Sequence, residues 1–326
     1  MSSGASDLDS RSALSDSARQ TADAGGTTPD GRRAAARRRR RGYLLFAAFA
    51  LPNLALIAVF SYWPIVENVY LSFSTWDFIS PQAEWAGLLN YQSLFSGWSF
   101  PEVLFRTLVW VVVVVVVTLV LGLALAMLFA QRLRGANAVQ TLAFAPHVLS
   151  GAAIATIWLF IFDPNIGLSR LAFEAFGATS PAWTTDDSWA LWALIIVSIW
   201  KGLGFVAIVY LVGIQQIPSQ VLEAARIDGA GRWTQFRRMI FPLLSPTTFF
   251  LVITQTISAF QSFDVIAMMT GGGPARSTTT LSWFIYDEAF NRGNVGVSSA
   301  ASMIMFVVLM AITVLQFRFV ERRVHY

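Results

Sequence analysis

Apolar and polar residues are not interspersed along this chain; long oily runs alternate with short charged stretches. Five gaps between charged residues are apolar and long, at 42–66, 107–131, 135–162, 239–263 and 293–317. A sixth, about 188–212, is apolar except for Lys201 near its middle. A helix needs about 20 such residues to cross a hydrocarbon core of ~30 Å, so the pattern predicts six spans and an all-α membrane protein. The β-branched run Val111–Val117 is still expected to be helical, because a lone strand in lipid leaves its backbone groups unpaired. The longest connection between spans is 67–103, and its segment "WAGLLNYQSLF" (85–95) predicts a short interfacial or capping helix. Pro146 is expected to kink the third span, with His147 beside it buried and hydrogen-bonded. Residues 1–30 are rich in Ser, Ala, Asp, Gly and Thr and lack the apolar content to fold. With the Arg run that follows, they form an expected disordered tail, 1–42, ahead of a transmembrane domain, 43–326.

Composition sharpens this picture. Hydrophobic residues make up 55% of the 326 and charged residues only 13%, against about 25% charged in soluble domains. There is no Cys and there are two His, so thiolate and disulfide chemistry are excluded and a His-based metal site is not expected. Neither a Ser-His-Asp arrangement nor a paired-carboxylate cluster stands out, which argues against an enzyme. Nothing points to nucleic acid.

Charge sets the orientation. With the N-terminus inside, 18 of the 23 basic residues fall on inner segments, including Arg37–Arg41, Arg132, Arg134, Arg226, Arg232, Arg237, Arg238 and Arg318. Outer segments keep mainly Arg170, Arg276 and Arg292, and carry Glu67, Asp77, Glu84, Asp163, Asp186 and Asp187. The positive-inside bias thus places both termini in the cytoplasm. The Arg run before the first span is read as a topology anchor attracted to anionic lipid. No small-residue cleavage site follows the first apolar run, so a removable secretion signal is not expected.

One inner connection, 214–245, is polar and long. Pro218 and Ser219 are helix-start residues; Val221, Leu222, Ala224 and Ala225 make a compact apolar face; Gly229 and Gly231 bend the chain. A second helical stretch from about Arg232 leads to Pro242. Small residues at Ala224, Ala225 and Gly229 allow close approach of another protein, with Glu223 and Asp228 as polar anchors. Arg232, Arg237 and Arg238 would equally suit a helix lying flat on lipid, and residue physics alone leaves these two readings open.

The stretch Glu223–Pro242 resembles the EAA loop of importer permeases of the ATP-binding-cassette class: E-A-A, three residues, Gly, nine residues, Ile, any residue, Leu-Pro. Glu223, Ala224, Ala225, Gly229 and Pro242 match, while Met239 and Phe241 replace Ile and Leu, apolar for apolar. The segments at 62–73, 194–205, 260–290 and 298–326 resemble the carbohydrate-type permeases, most of all the A-type permease of sn-glycerol-3-phosphate importers. The resemblance implies the type I importer transmembrane fold in a bacterial inner membrane. It implies a coupling role for Glu223, Ala224, Ala225, Asp228, Gly229 and Pro242, which would seat on an ATPase subunit. It also implies a second homologous permease, two ATP-binding-cassette subunits and an external solute-binding protein, for which the 67–103 loop is a candidate docking surface. This chain has no Walker A pattern; its one Lys, Lys201, lies between Trp200 and Gly202. ATP and Mg would therefore be used by the partner ATPase, with no cofactor bound by this chain.

Candidate solute contacts come from polar residues in spans, since facing lipid is costly. At ~100° per residue, Thr254, Gln255, Ser258, Gln261 and Ser262 fall on one stripe. The stripe suits a hydroxylated solute, or equally helix–helix packing. Asp264 lies off that stripe and is expected to serve local structure. Lys201 is either an attraction for an anionic phosphate or a structural cation, and Trp158 and Trp200 offer flat apolar faces. The expected cargo is glycerol 3-phosphate or a glycerophosphodiester, with a disaccharide or oligosaccharide as the alternative. A stand-alone secondary carrier would call for mid-span acids, and none occur at the span centres.

Overall fold

A computed structural model describes residues 29–97, 99–131 and 135–320. The chain divides into two units, residues 1–67 and 68–326. The first holds α1 (Pro29–Ile57), which passes through a wide π turn at Ala58–Tyr62 into the start of α2 (Trp63–Ser72), whose last five residues belong to the second unit. Residues 29–42 are thus the first turns of α1 rather than part of an unfolded tail; residues 1–28, and the inner arginines Arg132, Arg134, Arg322 and Arg323, lie outside the described residues.

The second unit is helical apart from a two-stranded antiparallel hairpin, β1 (Ser74–Thr75) and β2 (Glu84–Trp85), in the long outer connection. The expected short helix follows as α3 (Leu89–Ser96). Asn90 ties it down by donating from Nδ2 to the carbonyls of Ser72 and Ser74, at 3.0 and 2.9 Å.

Long apolar helices then follow in the expected order: α4 (Ser99–Phe129), α5 (Ala136–Val148), α6 (Gly151–Phe162), the short outer α7 (Leu168–Ala175) and α8 (Asp187–Gln215). The inner loop holds α9 (Ser219–Ile227), α10 (Arg232–Gln235), a π turn at Phe236–Ile240 and α11 (Phe241–Leu243). The C-terminal part is α12 (Ser245–Phe260), α13 (Asp264–Met269), α14 (Leu281–Tyr286) and α15 (Val295–Val320). Among the described residues, five helical stretches are each long and apolar enough to span: Gly42–Ser72, Ser99–Phe129, Asp187–Gln215, Ser245–Met269 and Val295–Arg318. The region expected as the third span is instead a broken pair, α5 and α6, which meet at 105° and count as a span only when taken together. The break falls at Leu149–Ser150, three residues beyond the kink expected at Pro146. Ser150 caps α6, its Oγ accepting from the Ala153 N–H at 3.3 Å.

Packing explains why the helices cross where they do. Trp110, Ile154, Leu194, Phe260 and Ile266 form one core among α4, α6, α8, α12 and α13. Ala126, Val206, Tyr210, Leu244 and Leu251 form a second toward the inner loop, and Leu94, Phe100, Leu281 and Phe284 a third toward the outer connection. Small residues set the closest approach. A Cβ on Gly204 of α8 would lie 1.8 Å from the carbonyl oxygen of Ala143 on α5. Buried polar ties join distant segments: Trp110 Nε1 donates to the Ala259 carbonyl at 3.1 Å, and the Leu281 N–H to Thr107 Oγ1 at 2.8 Å.

Candidate functional site

Two constructions stand out, one on the inner loop and one between the spans. In the loop, α9 starts after Pro218, whose fixed φ suits a helix start. It ends in a Schellman turn: the Gly229 N–H donates to the Arg226 carbonyl at 3.1 Å and the Ala230 N–H to the Ala225 carbonyl at 2.9 Å. Gly229 has φ of +78°, and a Cβ there would meet nothing within 4 Å. Backbone conformation, not crowding, is what calls for glycine at this position. Gln235, nearly buried, fixes the far side of the turn by donating from Nε2 to the Ala230 carbonyl at 2.8 Å.

The knob has two faces. Ala225 is 1% exposed, and Leu222 packs with Ile240 and Leu244 on the inner core. The opposite face shows Glu223, Ala224, Ile227, Asp228 and Trp233 to the outside, with Ile227 87% and Trp233 70% exposed. The apolar face expected from Val221, Leu222, Ala224 and Ala225 is therefore divided: two residues seat the helix and two are presented. Pro242 is half-buried within α11. Neither Glu223 nor Asp228 forms an ion pair among the described residues.

Between the spans lies a cavity of ≈ 280 Å³. Trp110 and Val114 on α4, His147 on α5, Ser198, Lys201 and Gly202 on α8, and Gln255, Ser258 and the segment Gln261–Val265 line it. Lys201, Gln255, Ser258, Gln261 and Ser262 thus come together as the sequence suggests. Among the described residues their side chains make no hydrogen bond or ion pair with the protein, and Ser198 Oγ is buried without a partner. Polar side chains withheld from lipid and from one another point to a space meant for water or solute.

Four expectations need correction here. Thr254 does not line the cavity; its hydroxyl donates back to the Phe250 carbonyl at 3.0 Å. Trp158 packs on the core instead, edge-on to Trp200 with ring centroids 5.6 Å apart. His147 is not buried: it lines the cavity and stacks on Phe205 at 4.7 Å between ring centroids. Asp264, set aside as a local structural residue, also faces the cavity. It starts α13 and lies against the first turn of α6, so that a Cβ on Gly151 would come 2.5 Å from its Oδ2. Chemically, the cavity offers one cation, one anion and a ring of neutral hydrogen-bonding groups. No cluster of three or more metal-ligating side chains occurs among the described residues.

Comparison with known proteins agrees with this geometry. The chain is 36% identical over 279 residues to the sn-glycerol-3-phosphate transport system permease protein UgpA of Yersinia pseudotuberculosis, covering 85% of this chain and 94% of the relative. UgpA of Agrobacterium fabrum is 35% identical, covering 87% and 96%. Among solved structures, a chain of a bacterial alginate ABC transporter, crystallised with its alginate pentasaccharide-bound periplasmic protein, superposes with a TM-score of 0.76 at 24% identity. That superposition covers 87% of this chain and 96% of the other, and shows that the two share a fold. Residues 118–326, the part that contains the knob and all of the cavity lining except Trp110 and Val114, match a family defined by inner membrane components of binding-protein-dependent transport systems, and with the relatives spanning nearly the whole chain the protein belongs to that family.

Proposed function

We propose that this chain is one of two homologous permeases of an ATP-driven importer, carrying glycerol 3-phosphate or a glycerophosphodiester by alternating access. Two ATPase subunits spend ATP with Mg, and one of them grips this chain's knob, formed by Glu223, Ala224, Ala225, Asp228, Gly229 and Pro242. An external solute-binding protein delivers the solute to the outer face. The relatives' substrate and the cavity chemistry support the cargo. The observation that carries it is Lys201, a cation without an ion pair among the described residues, in a space of ≈ 280 Å³ that it shares with neutral hydrogen-bonding groups and the Asp264 carboxylate. Such a lining suits a phosphate with a short polyol attached. The volume is at the low end of small-molecule pockets, which run from ~300 to 1,000 Å³, and favours a small solute over an oligosaccharide.

The test is uptake by the complete transporter reconstituted in liposomes. Glycerol 3-phosphate uptake is expected to fall at least tenfold in Lys201→Gln and to be largely kept in Lys201→Arg. Unchanged uptake in Lys201→Gln removes Lys201 from the path. Uptake of a neutral disaccharide in place of glycerol 3-phosphate overturns the cargo. Glu223→Arg is expected to abolish ATP-dependent uptake while the chain remains inserted, and normal uptake there refutes the coupling role of the knob.

A further inference from the structure

The outer connection between α6 and α8 contains a helix that neither transport path nor knob uses. α7 is only eight residues long, yet its exposed surface is sharply sorted. At ~100° per residue, Leu168, Leu171, Ala172 and Ala175, with Phe176 as the C-cap, fall within an arc of about 140°. Leu168 is 58%, Leu171 60% and Phe176 90% exposed, and Ile166, just before the helix, 67%. The remaining exposed arc is polar, and its two charges cancel: Arg170 Nε lies 2.6 Å from Glu174 Oε1, and the same guanidinium donates to the Asn165 carbonyl. A third side anchors the helix to the protein. Phe173 packs edge-on to Trp183 at 6.0 Å between centroids, and Ser169 shares a hydrogen bond with Ser180 at 3.2 Å.

We propose that α7 is a lipid-seating helix, its Leu168–Leu171–Phe176 face immersed in the outer surface of the bilayer. Three observations choose lipid over a protein partner. First, the helix is moored at the depth of the span ends: five residues join Phe162 to Leu168, drawn tight by the Gly167 N–H donating to the Asp163 carbonyl at 2.9 Å. Second, Trp189 and Trp192, on the first turns of α8, are 42% and 46% exposed. Tryptophan at a span end marks the headgroup level, and Trp189 meets Trp183, which also touches Phe173. Third, the polar arc carries no net charge for a partner to read, since Arg170 and Glu174 are paired. A helix with one apolar and one polar face can lie in the plane of the interface with its apolar side buried.

The chain has no Cys, so a single introduced cysteine is its only labelling site, and cysteine-free variants of the partner subunits keep the label on this chain. A nitroxide at Leu171→Cys or Arg170→Cys is placed in the complete transporter in phosphatidylethanolamine–phosphatidylglycerol liposomes. Collisions with oxygen, which partitions into lipid, and with a water-soluble nickel chelate are compared. The expected result is an oxygen-to-nickel ratio several-fold higher at 171 than at 170. Ala172→Cys, on the same arc and closer in size, repeats the reading if Leu171→Cys does not assemble. Equal nickel accessibility at both positions shows an aqueous helix and overturns the proposal. Shielding of 171 from both reagents, either at once or on adding the solute-binding protein, shows a protein interface and overturns it as well. ATP-driven uptake by the labelled complex is a separate readout, so failure here leaves the transport assignment standing.

Discussion

Replacing Gly204 by alanine tests the crossing on which the cavity's far wall depends. α5 lies against α8 at this residue, and the added Cβ would fall 1.8 Å from the Ala143 carbonyl oxygen and 2.8 Å from the Phe144 nitrogen. An unstrained carbon–oxygen contact is roughly 3.3 Å, so the helices must part by about 1.5 Å. Main-chain atoms of a helix cannot swing aside as a side chain can. The penalty should reach the upper end of the overpacking range, ~3 kcal/mol, a loss of about a hundredfold in the folded-to-unfolded ratio. Gly122→Ala is the control. Its Cβ would meet Val206 Cγ1 at 2.5 Å, a side-chain atom, so it should be milder and be rescued by Val206→Ala. Ala143→Gly should not rescue Gly204→Ala, because glycine keeps the offending carbonyl. The assay is the midpoint of heat-induced loss of the monodisperse peak in detergent, together with ATP-driven uptake. A Gly204→Ala protein with the parent midpoint, or rescue by Ala143→Gly, refutes the reasoning.

Other expectations follow from single contacts. Trp110→Phe removes the donor to the Ala259 carbonyl and should lower stability by about 1–3 kcal/mol, read from the same thermal midpoint. Gly229→Ala forces an L residue to φ of +78° at about 1–2 kcal/mol, with no clash; the helical knob should fray and ATP-driven uptake should fall, and Gly229→Val, being β-branched, should be worse. Asp77 Oδ1 accepts from the N–H groups of Ser80 and Ile79, at 2.7 and 3.0 Å. The Ser80 N–H first, then its hydroxyl and the Ile79 N–H, hold this exposed carboxyl below its ordinary value of 3.8. A depressed carboxyl stabilises the turn fully above its unfolded pKa and loses that contribution as pH falls through the folded one. Amide exchange at Ile79 and Ser80 should therefore gain protection-loss only in strong acid, and Asp77→Asn should abolish the pH dependence.

The spans and the knob were legible because each is written in local pattern. Apolar run length fixes a span, and the Pro218-to-Gly229 spacing fixes a capped helix with a left-handed stop. The helix breaks were not legible. Leu149–Ser150 lies within an unbroken apolar stretch, and what ends the helix there is tertiary: Gly151 must seat against Asp264 from the far end of the chain. The same cause explains the misplaced cavity residues. A wheel drawn through 254–264 assumes one helix, but α12 stops at Phe260 and α13 restarts at Asp264. The restart resets the angular phase and brings Asp264 onto the lining. Thr254 shares the stripe on the wheel, but its hydroxyl is turned to the Phe250 and Leu251 carbonyls of its own helix. His147 was read as a core residue beside a kink; with the turn displaced beyond it, its ring lies on the cavity wall.

The divided third span also bears on how the protein enters its membrane. α5 has 13 residues and α6 has 12, so at ~1.5 Å per residue each reaches roughly 20 Å, short of the ~30 Å of hydrocarbon to be crossed. Neither half can be handed to lipid alone by the insertion machinery. Both pack against α8, which is synthesised later, so the surface that holds the two halves together is complete only after Gln215 has been made. The order of translation thus sets when this segment can take its final packing.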